Sequence, residues 1–243
     1  MEIKPTAQGV FYPEEPNELI NIFNGYYSEK APSSNLVIVP HAGYEFSGKI
    51  AYETISRLTP LKENIIIIAP ALYNKIYGSA TCNEESFSTP LGSVKIKPAE
   101  NIDVNNGLFK SESAITVQIP IIKNLFPECT VTPVLYGCED YKNITGLIRQ
   151  NFEKSSFIIA TNLSRFIPER ESLKLDEQTA RMIERKQIQD LDIEMADGAV
   201  GVCAAIEFAK ENNMNFVQTA LTNSSQITGD SSSVVGYGGW YLI

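Results

Sequence analysis

The stretch VPHAGYEFSGK, residues 39–49, holds the only histidine of the chain, His41. It follows LVIV, an apolar run that reads as a buried strand, and it precedes a glycine and Tyr44. An imidazole placed there can work as an acid or base, contact a ligand or hold a metal. It can equally be structural, with one ring nitrogen on a carbonyl and the other towards a cleft or water. The residues alone leave both readings open. A facial iron centre needs two histidines and a carboxylate, and catalytic zinc is often held by two or three imidazoles. A chain with one histidine can build neither.

Other chemistries are tested by the same residue-by-residue logic. Gly43 to Lys49 matches G-x-x-x-x-G-K between a strand and a helix, which is most of a phosphate-binding loop. The next position needs a hydroxyl for magnesium and carries Ile50 instead, while Tyr44 and Phe46 put bulk where backbone amides would wrap a phosphate. Nucleotide binding is therefore not expected. Cys82, Cys129, Cys138 and Cys203 form no close pair, so free thiols are expected rather than a zinc ribbon. Cys203 lies among alanines and reads as packing rather than as a nucleophile. No G-x-S-x-G elbow selects a serine for a catalytic triad.

The elements that must position His41 are legible as an alternation. LVIV (36–39), IIIIA (65–69), VTPVLY (131–136), FIIAT (157–161), FVQTAL (216–221) and VVGYGGWYLI (234–243) read as strands. Helical patterns lie between most of them. In PNELINIFNGYY (16–27), Leu19, Ile22, Phe23 and Tyr26 share one face. In SGKIAYETISRL (47–58), Ala51, Ile55 and Leu58 do the same, with Ser47 as the expected N-cap. Tyr141, Ile144 and Ile148 define a third helix, and GAVGVCAAIEFAKEN (198–212) reads as a small-residue helix packed closely on something. STPLGSVKIKP (88–98) reads as an edge strand. Pro168 to Glu171 reads as a solvated loop before a charged helical face from Glu177 to Lys186, and Ser231 to Ser233 as a turn before the last strand. The fold class expected is α/β, one domain over residues 1–243, with a mixed or largely parallel sheet flanked by helices.

Composition bounds the partners. The 243 residues are 43% hydrophobic and 20% charged, as in ordinary globular proteins. The net charge of −9 opposes binding to a phosphate backbone, so no nucleic-acid partner is expected. No apolar run approaches the roughly 18 residues of a membrane helix, so no membrane partner is expected. The N-terminus has no basic start followed by an apolar stretch, and the protein is expected in the cytoplasm.

PHAGYEFSG resembles the signature of the Memo family, the cell-motility mediator proteins and their bacterial and archaeal relatives. The resemblance runs on in order: G-x-F-Y-P at Gly9 to Pro13, T-P-L-G at Thr89 to Gly92, the end of a Q-x-P helix at Gln118 to Pro120, and V-V-G-Y at Val234 to Tyr237. It implies a fold similar to the class III extradiol dioxygenases, with a metal cleft at strand ends. His41, Leu72 and Asn162 all follow apolar runs and are expected to line that cleft.

The departures from the family pattern bear on function. The histidine of G-P-S-H stands as Leu72, and that of E-H-S-x-E as Ser113. In S-S-D-x-S-H the aspartate stands as Asn162 and the histidine as Arg165. The cysteine of the family's C-G aligns with Asp197, with Cys203 six residues on as the alternative. Some relatives are proposed to handle copper or iron redox chemistry and others to recognise phosphotyrosine peptides. The expectation here is a degenerate metal cleft with no cofactor, in a non-catalytic binding or scaffold protein for a small anion or a protein partner. The ligand-contacting candidates are His41, Tyr44, Leu72, Ser113, Asn162, Arg165, Asp197 and Tyr237. The alternative is a metal-dependent oxidoreductase, dioxygenase-like, with a divalent metal on His41 and Asp197.

Overall fold

The computed structural model describes residues 1–26, 33–59 and 64–243. Tyr27, the end of the first expected helix, lies outside the described residues. The strands in chain order are β1 (Glu2–Ile3), β2 (Leu36–Val39), β3 (Asn64–Pro70), β4 (Ser79–Thr81), β5 (Ser86–Phe87), β6 (Val94–Lys95), β7 (Asp103–Val104), β8 (Thr130–Tyr136), β9 (Ser156–Ala160), β10 (Arg165–Ile167), β11 (Phe216–Asn223) and β12 (Val234–Leu242). The helices are α1 (Pro16–Gly25), α2 (Lys49–Ile55), α3 (Ser113–Thr116), α4 (Ile119–Leu125), α5 (Tyr141–Asn151), α6 (Glu169–Glu184), α7 (Ala199–Glu211) and α8 (Ser225–Thr228).

One mixed sheet organises the molecule. Its centre is parallel, in the order β2-β9-β3-β8. Beyond β8 the antiparallel β4 and then β7 extend one side, and beyond β2 the antiparallel β12 carries β10 and β11. The central strands are continuous apolar runs because both faces are covered. Alternate residues serve two cores: Val37, Val39, Ile65 and Ile67 face one, while Leu36, Ile38, Ile66 and Ile68 face the other. Each such side chain, fully buried, contributes about 1.5–3 kcal/mol. This mixed α/β architecture is the one that the resemblance implies. No helix among the described residues is long and apolar enough to cross a membrane.

Two expectations need correction. Ser47 does not cap a helix. Residues Tyr44–Gly48 form a π-helical turn running into α2, and the Ser47 hydroxyl accepts the Ala42 N–H (3.1 Å). Pro168 to Glu171 is not a loop: α6 starts at Glu169, because Pro168 ends the extended β10 and leaves glutamates in the first turn, where the helix dipole favours them. The stretch 88–98 does supply an edge strand, the two-residue β6, which pairs antiparallel with β5 at the edge of a separate small sheet with β1.

Parallel strands point their carboxyl ends to one edge, and ligands in open α/β sheets bind outside those ends. The turns after β2, β3 and β9 carry His41, Leu72 and Asn162 respectively.

Candidate functional site

The network starts in the turn after β2. Gln118 Nε2 donates to the Pro40 carbonyl (2.9 Å) and fixes the backbone just before His41. The N–H of His41 donates to Asn162 Oδ1 (3.0 Å). That bond orients the Asn162 amide, so its Nδ2 faces His41 Nδ1 at 3.3 Å. An amide nitrogen only donates, so Nδ1 accepts. The ring hydrogen is then on Nε2, which donates to Asp197 Oδ1 at 3.1 Å. Both ring nitrogens of the buried His41 are engaged within the protein.

Asp197 is the hub. Its Oδ1 also accepts the Asn162 N–H (2.8 Å) and lies 3.2 Å from the Thr161 hydroxyl. Thr161 Oγ1 in turn accepts the Gly198 N–H (2.9 Å), tying the start of α7 to the end of β9. The approach is close enough to require glycine: a Cβ on Gly198 would sit 2.6 Å from the Ala160 carbonyl oxygen. Burial alone would push the Asp197 carboxyl up. The imidazole of His41, the Asn162 N–H and the Arg165 guanidinium outweigh it and hold the group below its ordinary value. The second oxygen, Oδ2, has Arg165 Nη1 at 3.8 Å, beyond hydrogen-bond reach.

Arg165 owes its place to an irregularity. The register of β10 against β12 shifts between Arg165 and Ile167, and Phe166 between them has a left-handed backbone (φ 57°). Bulges of this kind re-aim side chains at functional edges. Phe166 faces solvent while Arg165 joins Asp197 on the wall of a cavity of about 800 Å³. Leu72, Ile76, Ile193 and Val200 supply apolar wall to the same cavity. Volume and lining suit a small organic ligand.

The remaining candidates lie around this centre. The Leu72 N–H donates to Glu112 Oε2 (3.0 Å), and Ser113 Oγ is 3.1 Å from the Tyr73 hydroxyl. Tyr44 belongs to an aromatic cluster with Tyr12 and Phe23, and its hydroxyl donates to the Val117 carbonyl (2.7 Å). Tyr237 pairs with Thr222 inside the β11–β12 ladder, and burial pushes its phenol up to about 12. Neither tyrosine makes a hydrogen bond to His41, Asn162, Arg165 or Asp197 among the described residues. Asp197, not Cys203, faces His41. Cys203 shares the cavity wall, and burial pushes its thiol up to about 11, away from nucleophilic use.

Sequence reasoning passed over Glu112, Thr161 and Asp176. Glu112 is fully buried with Oε1 unpaired, and burial raises its carboxyl against the pull of the Leu72 and Tyr73 N–H groups. Asp176 stands just before the stretch read as a charged helical face, although Ser172, Asp176 and Ile183 keep helical spacing on the buried side of α6.

The residues do not fit the metal that the resemblance implies. No group of three His, Cys, Asp or Glu side chains among the described residues is arranged to hold an ion. The Nε2 that faces Asp197 bears a hydrogen, so it has no lone pair for a metal. An aspartate at position 162, as in the family pattern, would accept Nδ1–H and leave Nε2 bare, the arrangement that metal-bound histidines use.

The chain matches the family described as "Memo-like protein" over residues 4–241. A MEMO1 family protein of Aquifex aeolicus is 26% identical over 99% of this chain and 98% of its own length. Relatives of the same description from Methanocaldococcus jannaschii (25% identical, 96% of each chain) and Nitrosopumilus maritimus (28%, 97% of each) match end to end as well.

Proposed function

The chain belongs to the Memo-like protein family, and from that premise we propose a divergent, non-catalytic member whose degenerate metal cleft binds a small organic acid. One observation carries this reading. The Arg165 guanidinium stands on the cavity wall with a single loose ion pair and no hydrogen bond to a protein acceptor among the described residues. Its planar fork is suited to a carboxylate, which it can meet with two parallel hydrogen bonds. By the resemblance, this fixed cation stands where the family has a histidine. His41 works behind the wall in this reading. It holds Asp197, and Asp197 keeps Arg165 at the cavity.

The net charge of −9 stands against a nucleic-acid partner, and the expected compartment is the cytoplasm. The alternative, an oxidoreductase with a metal on His41 and Asp197, has no observation in its favour, since the His41 Nε2 that faces Asp197 carries a hydrogen and offers no lone pair.

Thermal unfolding with a panel of aliphatic and aromatic monocarboxylates tests the proposal. At about one hundred times Kd a true ligand raises the Tm of a chain this size by about 5–10 °C, and Arg165→Met removes the rise. A panel without effect, or a rise that survives in Arg165→Met, overturns it.

A further inference from the structure

The cavity asks for more than an acid. Among the described residues its wall carries two cations, Lys75 and Arg165, against four carboxylates, Glu139, Asp140, Asp192 and Asp197. A plain anion drawn to Arg165 enters a field of the wrong sign, and in a partly desolvated cleft that opposition is strong. A bare cation would find the carboxylates but would also face the Arg165 guanidinium.

Asp197 resolves the conflict. Its side chain is only 2% exposed. Oδ1 is taken by the His41 ring and the Asn162 N–H, with the Thr161 hydroxyl shared between it and the Asn162 carbonyl. Oδ2 has no hydrogen bond among the described residues, and its neighbour Arg165 is 3.8 Å away. Asp197 and Arg165, the neighbour of Oδ2, both line the cavity, which puts this unpaired acceptor at the cavity's edge. Acceptor and guanidinium therefore stand side by side at one end of an apolar chamber of about 800 Å³. A ligand that satisfies both needs a donor cation and an acceptor anion on adjacent atoms.

We propose that the cavity takes an apolar α-amino acid as its zwitterion. The carboxylate lies on the Arg165 guanidinium and the ammonium on Asp197 Oδ2. The side chain lies along Leu72, Ile76, Ile193 and Val200. The ligand is neutral overall, so the acidic wall does not repel it. Its ammonium supplies the hydrogen bond that Oδ2 lacks, and its carboxylate takes the donors that Arg165 leaves unused. This inference rests on the reading of the cavity as an acid-binding site and narrows it.

Calorimetric titration of the full chain with L-leucine, L-methionine and L-phenylalanine tests it. Each is compared with the acid lacking the amino group and with the amine lacking the carboxylate. The expected result is that at least one amino acid binds about ten-fold or more tightly than both its analogues, the factor that one charge-assisted hydrogen bond supplies. In Arg165→Met the preference over the amine is lost. If the deaminated acids bind as tightly as the amino acids, the zwitterion is wrong while acid binding stands. If neither acids nor amino acids bind, both readings fall. The comparison is made on the wild-type chain, so it holds even if Asp197→Asn fails to fold.

Discussion

Asp197 and Asp176 grip the same loop by two backbone N–H groups, yet they are opposite in charge chemistry. Asp197 accepts the N–H of Asn162, and Asp176 accepts that of Ser164 (3.0 Å). Asp197 lies on the cavity with an imidazole and a guanidinium beside it, and its carboxyl is held below the ordinary value. Asp176 is buried against β12 with only hydroxyl and amide company. Ser172 Oγ donates to its Oδ2 (2.9 Å), and the Ser172 and Ser164 hydroxyls meet at 2.8 Å. A Cβ on Gly236 would fall 2.0 Å from Asp176 Oδ2, so that position admits only glycine. Burial pushes the Asp176 carboxyl up, and the Ser164 and Ser172 hydrogen bonds only partly offset it. Burial is common to both aspartates. What separates them is the His41 imidazole and, after it, the Arg165 guanidinium beside Asp197; Asp176 has neither, and the one with them stands at the candidate site.

The largest expected difference is in stability. Asp197→Ala leaves the donors of His41 and Asn162 unmet and Arg165 without its partner, and should cost about 3–5 kcal/mol by denaturant unfolding. Asp176→Ala removes hydrogen bonds to neutral donors and should cost about 1–3 kcal/mol. Equal costs would break the comparison. A subtler difference appears with pH. The lowered Asp197 carboxyl contributes stability that is present above its unfolded value near 4 and is lost as pH falls through the folded value. The raised Asp176 carboxyl contributes stability at low pH that is lost as pH rises through its folded value. The cost of Asp197→Asn should therefore grow between pH 3 and pH 7, while that of Asp176→Asn shrinks. Parallel profiles would contradict the assignment of His41 and Arg165 as the cause. The smallest effect is expected for Arg165→Met without ligand. A loose pair at 3.8 Å, with the arginine partly in solvent, is worth below about 1 kcal/mol, so stability should barely move. A large loss would recast Arg165 as a structural residue.

The fold was legible wherever one signal dominated. IIIIA and LVIV could only be strands covered on both faces, and they are. The small residues of α7 implied close packing, and a Cβ on Gly201 would lie 3.0 Å from Ile159 Cγ2 and from the Tyr136 hydroxyl. Ser47 misled because cap chemistry and a π-helical turn use the same hydroxyl on the same kind of N–H. The helical spacing of Ser172 and Asp176 marks a buried side, but the role of Asp176 was not legible there, since Ser164 and Gly236 come from a turn and a strand outside its helix. The cluster of His41, Asn162, Arg165 and Asp197 was suggested by family-like motifs and strand ends. The state of the imidazole was not legible, because it depends on which atom of the Asn162 amide the His41 backbone has already taken. Tyr44, five residues from a strand end and just after Gly43, looked like cleft lining and lies in an aromatic core cluster.

The central claim is that His41 has become a hydrogen-bond donor to Asp197 and no longer offers a ligand atom. With one histidine in the chain, a long-range proton–nitrogen NMR correlation of the untagged protein at neutral pH reports on that ring alone. The expected spectrum has a protonated Nε2 and a bare Nδ1, and adding zinc or ferrous iron leaves it unchanged. A bare Nε2 that shifts on addition of metal would contradict the account and restore the family's metal cleft.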